Sequence, residues 1–237
     1  MSRGLAIETS GRIGSVAIVE EGRVVAEDTF AHGLRHAAEM IPRIDALLRQ
    51  QTWTPADLRE LYVSAGPGSF TGLRIGITLA KTVAFATGAM VAAVPTVEVL
   101  AHNAPPEARN VVIVLDAKRE QIYTARLSRA GEAGDWRLDE PAHLDSIEQI
   151  VRRAPRPVHL IGEGIPFHQK RLPADDAGVI LTPPEFWRAR AGVVASIGYR
   201  MLCEGLATDP QQLAPIYIRR PEAEEKWEAK DHQRKNR

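Results

Sequence analysis

The chain has 237 residues, and its 30 Lys+Arg against 30 Asp+Glu give a formal net charge of +0. That balance supplies no long-range field to gather nucleic acid or an anionic membrane, so any RNA in its function is expected to be held by another molecule. The one cysteine, Cys203, excludes an internal disulfide and a thiolate metal cluster.

Residues 4–8, 15–20 and 23–30 read as three strands, joined by turns at Ser10-Gly11-Arg12 and Glu21-Gly22. Residues 35–51 carry Ala37, Met40, Ile41, Ile44, Leu47 and Leu48 at helical spacing. Thr54-Pro55-Ala56-Asp57 has a capping hydroxyl, a proline suited to the first helical position and an acid in the first turn, so it reads as a helix start. The apolar run 61–65 reads as a buried strand, and residues 73–87 as a helix stopped by Gly88.

Between that strand and that helix lies Gly66-Pro67-Gly68-Ser69-Phe70-Thr71-Gly72. Three glycines and a proline impose a tight turn that side chains would obstruct. The free N–H groups at the start of the helix suit a phosphate or another anion, although the same composition also serves as plain strand-to-helix punctuation. The turn is not a Walker A loop, because Gly72 is followed by Leu73-Arg74 rather than Lys-Ser/Thr. Nor is it the dinucleotide pattern, which follows the first strand of its unit.

Residues 90–94 form the next strand, and Thr96 caps a short helix to about Asn103. Ala104-Pro105-Pro106-Glu107 then reads as a domain boundary. Beyond it, 111–115 is a continuous apolar strand ending at Asp116, 121–127 alternates as its hairpin partner, and 131–136 is a surface loop. Asp145-Ser146-Ile147-Glu148 is a capped helix start. Residues 158–161 form a strand running into Gly162-Glu163-Gly164, and 189–204 form a last helix, in which Cys203 reads as a small buried hydrophobe. From Arg219 the chain is a charged tail whose large apolar residue is Trp227.

Each half thus offers antiparallel strands followed by helices alternating with strands. The organisation expected is two mixed α/β lobes, 1–105 and 106–219, and a tail, 220–237. No run reaches the ~18 apolar residues needed to span a bilayer, no leader segment is evident, and the expected compartment is the cytosol.

The helix from Leu73 places Gly76, Ala80, Ala84 and Gly88 at four-residue steps, a small-residue stripe open to close helix approach. Its other face holds Ile75, Leu79 and Val83, and a helix apolar nearly all round is buried on more than one side. The excess apolar width is expected to be covered by a partner. At its head, Phe70 reads as a contact anchor, and Arg74 either fixes the loop or holds a phosphate. Ser69 is a poor nucleophile, with no nearby histidine in sequence and no Gly-x-Ser-x-Gly turn.

Gly66 to Gly76 with Lys81, Leu5-Ala-Ile-Glu-Thr-Ser10, His36 to Pro42 with Asp45, Leu115-Asp-Ala-Lys-Arg119 with Tyr123, and Pro215-Ile-Tyr-Ile-Arg219 with Glu222-Ala223 together resemble the bacterial TsaB family, also called YeaZ. The resemblance implies the two-lobed actin-like, sugar-kinase and Hsp70 ATPase (ASKHA) fold. It also implies a non-catalytic role beside a catalytic paralogue, TsaD, which transfers a threonylcarbamoyl group to the adenosine beside the tRNA anticodon. A small ATPase, TsaE, joins that assembly, and a homodimer is expected when the subunit is alone. The two helices imply a partner interface at His36, Met40, Ile41, Ile44, Phe70, Leu73, Arg74, Gly76, Ile77, Ala80, Lys81 and Ala84.

The paralogue binds metal through His-x-x-x-His. Aligned on Glu98, those positions are Thr96 and Leu100, and neither suits a transition metal. His102 falls outside the register, and His32 and His36, though four apart, have Gly33 between them and no obvious carboxylate, so no metal is expected. Kinases of the fold place an aspartate where this chain has Glu8, a departure also from the family's usual aspartate. Asp116 stands where a second magnesium–phosphate residue would, and Gly162-Glu163-Gly164 resembles an adenosine-binding turn. Glu8, Gly68, Thr71 and Asp116 are the candidate contacts should ATP or ADP bind at a subunit interface; no cofactor is otherwise expected. An ATPase or small-molecule phosphotransferase is the alternative, and it requires Glu8 and Asp116 to approach one magnesium–nucleotide. A peptidase would need an activated Ser/His pair or a metal.

Overall fold

The computed structural model describes residues 2–31, 36–132, 134–173 and 176–219. The His32–His36 pair, the His36 side chain and the tail 220–237 with Trp227 lie outside the described residues. Strands β1 (Arg3–Glu8), β2 (Ile13–Glu20) and β3 (Arg23–Ala31) form an antiparallel meander. Helix α1 (His36–Gln50) follows, then β4 (Glu60–Gly66), α2 (Phe70–Thr87) and β5 (Met90–Pro95). Both β4 and β5 run parallel to β1, and the sheet order is β3-β2-β1-β4-β5.

Alternation along the strands divides this sheet between two cores. Leu5, Ile7, Val16, Ile18, Leu61 and Val63 meet α1 and α2, with Met40, Leu47, Leu48, Ile77 and Ala80. Ala6, Ala17, Val19, Tyr62, Ala92 and Val94 face the other way. That second face is covered by α3 (Thr96–His102) and α6 (Ala191–Cys203).

The second sheet comprises β6 (Asn110–Ile113), β7 (Leu115–Asp116), β8 (Ile122–Ser128), β9 (Arg137–Asp145), β10 (Val158–Ile161) and β11 (Val179–Leu181). Its order is β11-β10-β6-β8-β7, with β9 paired to β8. Helix α4 (Ile147–Arg153), capped by Ser146, buries Ile147, Ile150 and Val151 against it, and α5 (Ile165–His168) follows the glycine turn after β10. Two mixed sheets flanked by helices, the first with a three-strand meander leading into parallel crossovers, make the two-lobed actin-like (ASKHA) architecture.

Local departures from the sequence reading have physical causes. The start at Thr54 yields one 3₁₀ turn, Pro55–Asp57, whose Asp57 carboxylate accepts from Thr54 N and Oγ1 at 2.7 and 2.8 Å. The strand expected over 111–115 breaks at Val114, whose N–H donates to Ile161 O at 2.8 Å and whose carbonyl accepts from Gly164 N at 2.9 Å. Strand β9 lacks clean alternation and contains Pro141, which an edge strand tolerates. Cys203, at the last turn of α6, is exposed rather than buried. Helix α6 comes from the second half of the chain yet packs on β1, β2, β4 and β5 of the first sheet, across the expected boundary.

Candidate functional site

Ser69 caps α2, its Oγ accepting from Gly72 N at 3.3 Å, while Ser69 N donates to Ser10 O at 2.7 Å. The capping places α2 three residues earlier than the apolar pattern shows. The helix then runs hard against the end of β1. A β-carbon on Gly68 would lie 2.5 Å from Ser10 O, and one on Gly76 would lie 2.4 Å from Thr9 Oγ1. Gly76 of the small-residue stripe therefore admits the chain's own Ile7 and Thr9, whereas Gly88 has no atom within 4 Å of its β-carbon position.

More than half of the residues expected at the interface face inward in the chain by itself. Leu73, Gly76, Ile77, Ala80 and Ala84 are buried against the first sheet, as are Met40 and Ile44 from α1. Lys81 is tied inward, its Nζ donating to Gln211 O at 3.3 Å and Leu213 O at 3.0 Å. What α1 and α2 leave outward keeps Ile41 of the expected set and adds others. Ile41 is 57% exposed and Phe85 64%, and Ile75, Leu79 and Val83 are half-buried. A groove of about 460 Å³ runs between the two helices, walled by Ile41, Pro42, Ile44, Leu48, Leu79 and Val83 over a floor of Leu5 and Leu58. Exposure of Phe85 could not be read from periodicity, because α2 is apolar nearly all round, whereas Ile41 on α1 is among the residues expected at the interface.

Phe70 stays 36% exposed and stacks on Tyr217, with ring centroids 5.1 Å apart. The Arg74 guanidinium carbon lies 3.9 Å over the Phe70 ring, and Arg74 Nε donates to Tyr217 Oη at 2.8 Å. Arg74 thus fixes the glycine turn to a strap, residues 209–219. The strap is further held by Ile216 N to Ala65 O at 2.7 Å and reaches the second lobe through Arg219, which donates to Ala117 O at 2.6 Å and to the Gln121 side chain.

Between the lobes lies a cleft of about 450 Å³. The β1–β2 turn supplies Ser10, Gly11 and Arg12; the glycine turn supplies Gly68 and Ser69; α3 supplies Thr96 and Leu100. The second lobe contributes Asp116, Lys118, Tyr123, Glu163, Phe167 and Trp187. Of the four candidate nucleotide contacts, Gly68 and Asp116 line this cleft, whereas Thr71 is exposed outside its wall and Glu8 is fully buried.

Glu8 Oε1 accepts from Ser10 N and Ser10 Oγ, both at 2.5 Å. Its Oε2, like Ser64 Oγ beside it, is buried without a partner among the described residues. Burial raises the Glu8 pKa above 4.5 against the hydrogen bonds from Ser10, and the charge of Glu163 pushes in the same direction as burial. Asp116 behaves oppositely. Burial pushes its pKa up, but Lys118 Nζ at 2.9 Å from Oδ2 and His168 Nε2 at 3.2 Å from Oδ1 outweigh that and hold it below the usual carboxylate value. His168 is buried on α5, where the sequence offered no motif to mark it. Glu8 is thus buried beneath the β1–β2 turn, whereas Asp116 lines the cleft against Lys118 and His168. Among the described residues no group of three or more His, Cys, Asp or Glu is placed to hold a metal ion, and no helix is long and apolar enough to cross a membrane.

Comparison with known proteins agrees with this architecture. Residues 31–171, more than half of the chain, match the family model described as TsaD, tRNA N6-adenosine threonylcarbamoyltransferase. The chain is 31% identical over 226 residues to the tRNA threonylcarbamoyladenosine biosynthesis protein TsaB of Bacillus subtilis, covering 94% of this chain and 96% of that protein. It is 27% identical over 235 residues to the TsaB of Escherichia coli, covering 97% and 100%. The solved structure of YeaZ from Pseudomonas aeruginosa superposes with a TM-score of 0.77 at 26% identity, covering 92% of this chain and all of that one. The matches span essentially whole chains, and this protein belongs to the TsaB/YeaZ family.

Proposed function

We propose that the chain works in the formation of N6-threonylcarbamoyladenosine beside the anticodon of tRNA, as a non-catalytic subunit that scaffolds and activates a catalytic paralogue, TsaD, in company with the ATPase TsaE. The observation that carries this reading is the outward surface of α1 and α2, where Ile41 stands exposed on the wall of an apolar groove and Phe85 stands exposed elsewhere on α2, in a chain of zero net charge. Large apolar side chains flanking a groove gain most of their binding energy by losing water to a complementary surface. A partner of the same fold offers the same two helices, so a four-helix contact forms with either the paralogue or a second copy. Free protein then dimerises through the surface that TsaD occupies in the complex.

A non-catalytic role fits the cleft. Ser69 Oγ is engaged in capping, with no histidine among its hydrogen-bond partners in the described residues. Glu8 is sealed under the β1–β2 turn, and Asp116 is held by Lys118 and His168. The chain contributes shape to the assembly and leaves bond-making to its paralogue.

Reconstitution tests this. The purified chain is mixed with TsaD, TsaE, tRNA and the source of threonylcarbamoyl-adenylate, and modified adenosine is measured with each component omitted in turn. Omission of this chain is expected to abolish product. Product formed equally well without it would overturn the scaffold reading. ATP hydrolysis by the chain alone, lost on changing Asp116, would replace it with a phosphotransferase.

A further inference from the structure

The β1–β2 turn and the glycine turn after β10 meet across the cleft. Arg12 N donates to Glu163 Oε2 at 2.9 Å, a bond between residues 151 apart in sequence. A β-carbon on Gly11 would lie 3.2 Å from that same oxygen, so glycine gives the carboxylate room to settle on the turn. The Arg12 side chain crosses with it, its guanidinium carbon 4.8 Å over the Phe167 ring of α5.

Glu163 is presented by a stiff platform. Gly162 has φ 135, which favours glycine. A β-carbon on Gly164 would lie 2.7 Å from Asp116 N and 2.8 Å from Val114 O, so the turn is pressed onto the break between β6 and β7. Gly164 N donates to Val114 O at 2.9 Å, pinning it there. From that fixed backbone the Glu163 side chain reaches the Arg12 amide.

A backbone N–H exposed by a glycine turn is an anion receptor, and an anion upon it makes a charge-assisted hydrogen bond. In this chain the anion is already supplied. A phosphate arriving there meets the Glu163 carboxylate in its place, while the nearby Lys118 is already engaged by Asp116. We infer that Glu163 is a built-in occupant of the anion-receiving turn at Ser10-Gly11-Arg12, which clasps the two lobes together and keeps phosphate-class anions out of the cleft.

Two variants and one probe test this on the full chain alone, so the outcome is independent of the scaffold reading. Amide hydrogen exchange at Arg12 is followed in wild type, Glu163→Gln and Glu163→Ala, with and without inorganic pyrophosphate. Wild type is expected to protect the Arg12 amide and to ignore pyrophosphate. Glu163→Ala is expected to exchange there about tenfold faster or more, the loss anticipated when a charged acceptor is removed, and pyrophosphate is expected to restore protection. Glu163→Gln keeps the size and an acceptor oxygen without the charge, and is expected to fall between the two. Equal Arg12 exchange in all three proteins would overturn the clasp. Pyrophosphate protection in wild type, or none in Glu163→Ala once the amide is released, would overturn the exclusion.

Discussion

A β-carbon on Gly72 would lie 2.0 Å from the carbonyl oxygen of Thr9. The obstacle is backbone, not the tip of a flexible side chain, so neither β1 nor α2 can yield without disturbing the sheet. Gly72→Ala is expected to lower stability by about 3 kcal/mol, at the upper end for overpacking. Gly131, with no atom within 4 Å of its β-carbon position, is the control, and Gly131→Ala is expected to stay within about 0.5 kcal/mol of wild type. Denaturant midpoints measure both.

The two faces of α2 separate folding from association. Ile77 lies in the core beneath the helix, and Ile77→Arg buries an unpaired charge. It is expected to unfold the chain. Ile41→Arg and Phe85→Asp fall on exposed positions and are expected to leave the melting temperature nearly unchanged while weakening association with TsaD by about tenfold or more each, the loss of a contact worth over 1.4 kcal/mol. Analytical ultracentrifugation beside thermal melting separates the outcomes, and folded variants that still associate would move the interface elsewhere.

Glu8 predicts a pH dependence. Its folded-state pKa is raised, first by burial, from an ordinary value of 4.5. Below that value both folded and unfolded states hold the proton and no penalty exists. As pH rises through it the unfolded state ionises and the folded state does not, so stability falls until the folded pKa is reached. Glu8→Gln keeps an acceptor for Ser10 and supplies a permanent donor. It is expected to melt higher than wild type at pH 7, by about 2–4 °C for each kcal/mol recovered, with the gain gone below about pH 4.

The Phe70, Arg74 and Tyr217 stack joins the helix head to the strap. Removing Tyr217 strips one ring from Phe70 and the hydrogen-bond acceptor from Arg74. A double-mutant cycle on Phe70→Ala and Tyr217→Ala is expected to give a coupling of about 0.5–1.5 kcal/mol, and additive losses would deny the contact an energetic role.

Most elements of the first lobe were legible in the sequence because their signals are local. Short apolar runs between turns mark β1 to β4, the glycines mark the turn before α2, and Gly88 ends α2 with φ 72. The second lobe was harder. Strand β9 is held by pairing with β8 rather than by its own pattern, and β11 has only three residues. At the site, the glycine turn was visible but its purpose was not: glycines that admit a partner helix and glycines that admit the chain's own β1 have the same spacing. Contacts spanning over a hundred residues, such as Arg12 with Glu163 and Arg74 with Tyr217, leave no periodic trace.

The position of α6 sets an order on biosynthesis. Ala6, Ala17, Tyr62 and Ala92 need Val194 and Ile197 to cover them, and Leu213 completes the opposite core. A ribosome releasing the first 105 residues therefore leaves the second face of the five-stranded sheet with α3 alone to cover it. The first lobe closes its cores only when α6 and Leu213 have been made, so N-terminal-first domain folding cannot complete it.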